Sequence, residues 1–230
     1  MSRHLSRFDR TILLSVVSAC LLMALVDAVL RPGYLAKSLV KLCLFLGLPW
    51  LTVYRRFPLS LVRLFFRQGL RMQAFALGAG VYALILGGWL ALEQLCPGLV
   101  DLSGVTAALD RDLGVNAGNF IPVSLYISFV NSLLEELFFR GFGYLLLREA
   151  LSRRTAGLFS ACAFALYHVA ILAGWTSPHL VALAVAGLWA AGLLFNRLDE
   201  DSGTLYCSWF VHMSANFAIN TIGFRLLGIL

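Results

Sequence analysis

Long apolar runs, each broken by a short polar or basic stretch, organise the chain from end to end. They predict membrane-spanning helices, because about 20 apolar residues in helical form cross a hydrocarbon core of about 30 Å. The runs lie at about Thr11 to Leu30, Leu39 to Tyr54, Gln73 to Leu95, Phe120 to Leu147, Thr155 to Gly174, Pro178 to Phe195 and Thr204 to Ile222. The second is short and contains Pro49, so it is expected to be tilted, kinked or partly re-entrant. The third carries Gly78, Gly80, Gly87 and Gly88, a smooth surface for close helix packing. After the second run, Arg63, Arg67 and Arg71 recur every four residues beside Leu and Phe, a pattern for a basic amphipathic helix lying in the headgroup region. An ordinary positively charged cytoplasmic loop explains the same residues. Cys96 to Asn119 is the longest polar connection and is acidic, while Asp199-Glu200-Asp201 before Ser202-Gly203 reads as a solvated turn.

Composition turns this pattern into a class. With 230 residues, 60% hydrophobic, 13% charged and a mean hydropathy of +0.84, the chain is far more apolar than a soluble domain. The expected fold is all-α: a polytopic transmembrane helical bundle of about seven spans plus the basic interfacial helix. Without internal repeat or linker, residues 1–230 read as a single integral membrane domain with a motif-bearing core at about 120–220. The net charge of +6 comes from basic residues clustered between the apolar runs, which excludes nucleic acid as a partner and leaves the lipid bilayer. With the N-terminus cytoplasmic, most arginines fall inside and Arg31, Lys37, Arg111 and Arg225 outside. The Arg31 to Lys37 connection sits poorly there. The first run is long for a signal-peptide core and lacks a small-residue cleavage site, so it is read as a span. Cys20, Cys43, Cys96, Cys162 and Cys207 are scattered without a C-x-x-C pair, which suits small apolar residues better than a thiolate metal site.

Charges inside apolar runs are expensive, and one stretch holds three: Glu135, Glu136 and Arg140 within Asn131-Ser132-Leu133-Leu134-Glu135-Glu136-Leu137-Phe138-Phe139-Arg140. On a helix, Glu136 and Arg140 stand four apart and can pair, whereas Glu135 is turned roughly 100° away with no basic residue at that spacing. Glu135 is therefore expected to be the unneutralised acid, a candidate base; a bland alternative is a hydrogen bond to Asn131 or Ser132. His168 and His212 lie within two later runs, and His212 shares a helix face with Asn216. At about 1.5 Å per residue, Glu135 and His168 sit roughly 20 Å from the cytoplasmic helix ends and His212 roughly 12 to 16 Å, so the three can converge. Such a set suits peptide-bond hydrolysis: Glu135 takes a proton from a water held against His168, while His212 and Asn216 donate to the oxyanion. A Glu/His/His set could equally hold zinc, although no H-E-x-x-H spacing occurs and Asn is a poor zinc ligand. The expected cofactor is none, with zinc as the minority alternative. Phe164 reads as packing and Tyr167 is left open.

Glu135-Glu136-x-x-x-Arg140, Phe164-x-x-x-His168 and His212-x-x-x-Asn216, in this order, resemble the three motifs of the CPBP (Abi) family, which groups type II CAAX prenyl endopeptidases with bacteriocin-processing enzymes. The resemblance spans about Phe120 to Asn220. It implies a glutamate-dependent intramembrane endopeptidase with Glu135, His168, His212 and Asn216 as catalytic residues, Glu136, Arg140 and Phe164 in support, and no metal. The implied substrate is a membrane-tethered or hydrophobic peptide such as a protein C-terminal tail, and the implied location is a bacterial inner membrane. Two other classes remain open: a catalytically silent scaffold or chaperone-like partner of membrane proteins, and a proton-coupled transporter using the same groups as a relay.

Overall fold

The computed structural model describes residues 5–53, 65–99 and 102–230, and among these it is all-helical with no strand. Eight helices follow one another: α1 Arg7–Leu30, α2 Tyr34–Thr52, α3 Met72–Leu95, α4 Ser103–Leu113, α5 Phe120–Glu149, α6 Arg153–Leu172, α7 Pro178–Ser202 and α8 Tyr206–Leu226. Local signals place their ends. Ser6 and Asp9 form a capping box before α1, and Ser152 accepts the Thr155 N–H ahead of α6. Pro178 opens α7, while Gly114 and Gly203, with φ of 66° and 70°, close α4 and α7 in the left-handed conformation that glycine tolerates best.

Six of these helices, α1, α2, α3, α5, α6 and α7, are long and apolar enough to cross a membrane. The seventh expected span, α8, has 21 residues, but Ser208, His212, Ser214, Asn216, Asn220, Thr221 and Arg225 lower its hydropathy, and most of these polar groups turn inward rather than toward lipid. Large apolar side chains dominate the outer surface: Leu14, Leu21 and Leu84 are 67%, 66% and 74% exposed. So much exposed leucine on successive helices fits a hydrocarbon solvent and makes the protein a multi-pass membrane protein.

Several boundaries differ from expectation for physical reasons. α2 begins at Tyr34, five residues ahead of the apolar run, and its buried stripe is Lys37, Lys41 and Phe45, with Leu35, Leu39 and Leu46 turned outward. Lys37 is an interior group paired with Asp27, which leaves Arg31 as the basic residue exposed in the connection between α1 and α2. α7 continues through Asp199-Glu200-Asp201 instead of ending in a solvated turn. Asp199 is buried and Glu200 pairs with Arg153 at 2.8 Å, so only Asp201, bonded to Arg197 at 2.8 Å, faces water. The basic amphipathic helix expected over 55–71 falls largely on residues 54–64, outside the described residues; Arg67 is exposed, and Arg71 donates to the Ser202 carbonyl at the C-terminal end of α7.

Packing brings α5, α6 and α8 together. α8 lies along α3, where a Cβ on Gly78 would stand 2.6 Å from Ser214 Oγ, so glycine is needed at this crossing; Gly80, Gly87 and Gly88 face open space. α6 meets α7 at Gly192, whose Cβ would lie 3.0 Å from the Ala161 backbone. One core joins Ile12, Val16 and Met23 of α1 and Phe45 of α2 to Phe138, Phe139 and Phe142 of α5 and Phe164 of α6. The α1–α2 hairpin is thereby held against the motif-bearing helices.

Candidate active site

α5 is wound with π-helical turns over Tyr126–Asn131 and Glu136–Leu145, flanking the α-helical turn Ser132–Glu135. Wide turns leave backbone carbonyls open to outside donors, and here side chains of α6 and α8 supply them. Asn216 Nδ2 donates to the Ile127 carbonyl at 3.2 Å, Asn220 Nδ2 to that of Ser124 at 3.1 Å, Trp209 Nε1 to that of Phe129 at 3.1 Å, and Ser160 Oγ to that of Phe139 at 2.8 Å. These bonds lock α8 and α6 onto α5 on both sides of Glu135.

Glu135 is 1% exposed and Glu136 is fully buried. The expectation that Glu135 stands unneutralised is overturned: Lys41 Nζ of α2 forms an ion pair with its Oε1. Asn131 Nδ2, 3.1 Å away, and the Tyr167 hydroxyl, 3.3 Å away, donate to the same oxygen, and Lys41 also donates to Asn131 Oδ1. The other oxygen, Oε2, faces His212 Nε2 at 3.6 Å. The three donors thus gather on one oxygen and leave Oε2 on the His212 side. A lone carboxylate in a low-dielectric interior would be prohibitive, and an ammonium with two further donors makes it tolerable. The Asn131 contact anticipated as a bland alternative is present alongside the ion pair; Ser132 instead bonds back to the Ser128 carbonyl.

His212 is oriented from its other side. Its Nδ1 lies 2.7 Å from Glu136 Oε1, and since a carboxylate can only accept, Nδ1 carries the hydrogen. Arg140 Nε stands 3.3 Å from Glu136 Oε2, the pair expected from the spacing. The guanidinium lies between aromatic faces, 4.1 Å from the Phe164 ring centre and 5.0 Å from that of Phe195. Phe164 also meets His168 and His212 edge-on, at centroid distances of 5.0 and 5.8 Å. His168, half-buried at the end of the long α6 segment, directs Nδ1 to the Phe164 carbonyl at 2.7 Å. A carbonyl only accepts, so Nδ1 holds a proton, and in the singly protonated ring the lone pair is on Nε2.

The structure thus gathers Glu135, Glu136, Arg140, Phe164 and His212 into one contact network, with His168 reaching it through Phe164 and Tyr167, whose ring lies 4.5 Å from the imidazole. Asn216 stands one turn beyond His212, with one amide hydrogen committed to Ile127. Two contributors were not identified from sequence, Lys41 and Tyr167. The signal for Lys41 was the spacing of Lys37, Lys41 and Phe45, a charged stripe on a helix otherwise ringed by leucine. The Lys41 ammonium occupies Glu135 Oε1, His212 gives Nδ1 to Glu136, and among the described residues no three His, Cys, Asp or Glu side chains are grouped to hold a metal ion.

No curated protein and no solved structure matches the chain. A protein-family model does: residues 117–218 match the model described as type II CAAX prenyl endopeptidase Rce1-like, and all seven motif positions fall inside the match. Lys41 falls outside it. The resemblance carried by the three motifs is the one the family model finds, and over residues 117–218 the chain is similar to the type II CAAX prenyl endopeptidase Rce1-like family.

Proposed function

We propose that this protein is an intramembrane endopeptidase that hydrolyses a membrane-tethered or hydrophobic peptide, with Glu135 as general base and no acyl-enzyme intermediate. The observation that carries the reading is the approach of His212 Nε2 to Glu135 Oε2, within a buried network that three separate helices build inside the family segment. Lys41, Asn131 and Tyr167 hold Oε1, so Oε2 is the oxygen that receives a proton from water, with His168 Nε2 as a second acceptor that orients it. The resulting hydroxide adds to the peptide carbonyl. Because Nδ1 of His212 already gives its hydrogen to Glu136, donation to the oxyanion from Nε2 uses the doubly protonated ring, stabilised between Glu136 and the developing charge. Asn216 adds its uncommitted amide hydrogen. Collapse breaks the C–N bond, and Glu135 returns its proton to the leaving amine.

Glu136 and Arg140 are positioning residues that act through His212, and Phe164 sets the floor under both His168 and Arg140. The location, a bacterial cytoplasmic membrane, follows from the family resemblance alone, while the basic residues support an N-terminus inside: Arg71, Arg148 and Arg153 gather around Ser202 and Glu200 at one end of the bundle. A row of buried pairs, Asp27 with Lys37, Lys41 with Glu135 and Glu136 with Arg140, is what a proton-coupled transporter would also display. Incubating purified protein with prenylated peptides and transmembrane tails separates the two. The endopeptidase yields a product cut at one bond, and Glu135→Ala and His212→Ala yield none. Proton flux in sealed vesicles without cleavage by the wild type would replace hydrolysis with transport.

A further inference from the structure

Hydrolysis consumes one water per bond cut, yet Glu135 and His212 are only 1% and 6% exposed, so water must be brought to them through the protein. A cavity of about 210 Å³ lies between the ends of α1, α2, α4 and α6, with Asp27, Arg31, Lys37, Asp112 and Trp175 in its wall. We propose that this cavity is a hydrated vestibule that opens on the membrane face carrying Arg31 and Asp112 and passes water to Glu135. The inference rests on the hydrolytic reading above and assigns the side from which that reaction draws its water.

The chemistry of the wall selects the occupant. The Asp27 side chain is 3% exposed; its Oδ1 pairs with Lys37 Nζ at 2.6 Å, and its Oδ2 has no hydrogen-bond partner among the described residues. A buried carboxylate oxygen without a donor is costly, and a cavity of this size has room for several waters at about 30 Å³ each. The wall sets Lys37 beside Asp27 and Arg31 beside Asp112, with Arg31 Nη1 3.7 Å from Asp112 Oδ1, while Arg111 from outside the wall bonds both Asp112 oxygens at 2.9 and 3.1 Å. Water both donates and accepts, so it satisfies Asp27 Oδ2 and the remaining Lys37 hydrogens together. Apolar cavities stay dry, but ionic walls of both signs do not.

Position connects the vestibule to the site. Lys37 precedes Lys41 by one turn on the buried stripe of α2, and Lys41 is bonded to Glu135. Ala170 and Ile171 of the wall follow Tyr167 and His168 by about one turn, and the Tyr167 hydroxyl donates to the same Glu135 oxygen. The side chains of Lys41 and Tyr167 are therefore the partition between the vestibule and the carboxylate, and a small excursion of either admits water.

Cysteine accessibility tests this in the full-length protein, with its five native cysteines replaced by serine. A charged, membrane-impermeant methanethiosulfonate reacts with thiolate, which forms only where water reaches the sulfur. Added from the Arg31 face, it should modify Ala170→Cys at least ten-fold faster than Leu166→Cys, which sits on the same helix but faces lipid at 63% exposure. Ala173→Cys provides a second position in the wall should Ala170→Cys fail to accumulate. Equal rates at wall and lipid positions would overturn the vestibule. Modification should also reduce turnover at least ten-fold, mainly in kcat; a modified protein that cleaves at the unmodified rate shows that water arrives elsewhere, which sinks the inference and leaves endopeptidase activity standing. Absence of cleavage by every form, the wild type included, defeats the enzymatic reading instead.

Discussion

The motif-bearing helices α5, α6 and α8 and the N-terminal hairpin of α1 and α2 contribute to the same site in different ways. The first group carries the proposed reacting and positioning groups, and their spacing along single helices announces them: Glu136 with Arg140, and His212 with Asn216. The hairpin supplies the charge compensation, Lys41 on Glu135, from a segment outside the family match. Reacting groups are readable from local pattern because one helix face delivers them together. The counter-charge is not, since any helix that passes at the right depth can bring it. A family match over part of a chain therefore leaves out a residue on which the proposed acid depends.

That contrast can be broken experimentally, beginning with the reacting groups. Glu135→Ala should lower kcat by about 10³-fold or more, in the range general acid–base groups contribute, with the protein still folded by circular dichroism in detergent. Retention of wild-type turnover would remove Glu135 from the chemistry. On the hairpin side, Lys41→Met leaves a buried carboxylate without its cation and should cost about 3–5 kcal/mol of stability in thermal unfolding. The double variant Lys41→Met with Glu135→Gln should regain most of that loss, since neither charge then remains; simple addition of the two single effects would show that the pair is not coupled.

Smaller effects sharpen the distinction between reacting and positioning groups. Glu136→Gln weakens the acceptor for His212 Nδ1, and a hydrogen bond to a charged group is worth about 1.5–3 kcal/mol, so kcat should fall roughly 10- to 100-fold with KM little altered. A shift confined to KM would instead make Glu136 a substrate-binding group. Asn220→Ala removes the bonds to the Ser124 carbonyl and Ser128 Oγ at the α5–α8 contact and should lower stability by about 1–3 kcal/mol while cleavage changes less than three-fold. A large loss of cleavage in a protein of unchanged stability would bring Asn220 into the site.

How far the sequence could be read follows from where each interaction is made. The pair of Glu136 and Arg140 was legible because it closes within one helical turn, and the spans were legible because lipid imposes their length and composition. The turn at Asp199-Glu200-Asp201 was misread because a charge run resembles a solvated loop until a partner such as Arg153, on another helix, takes up one of its carboxylates. The start of α2 was cut short for the same reason: Lys37 looks like a loop charge until Asp27 is placed beside it.

By itself the sequence determined the membrane class, the helical architecture and the order of the three motifs, since hydropathy and helical spacing are properties of neighbouring residues. Only the tertiary structure decided that Glu135 is ion-paired, which of its oxygens is left open, and which nitrogen of each histidine faces the carboxylate or a carbonyl. Lys41 and Glu135 are separated by 94 positions. The cost of a buried charge is set by the atoms packed around it, and packing brings those atoms together from anywhere along the chain.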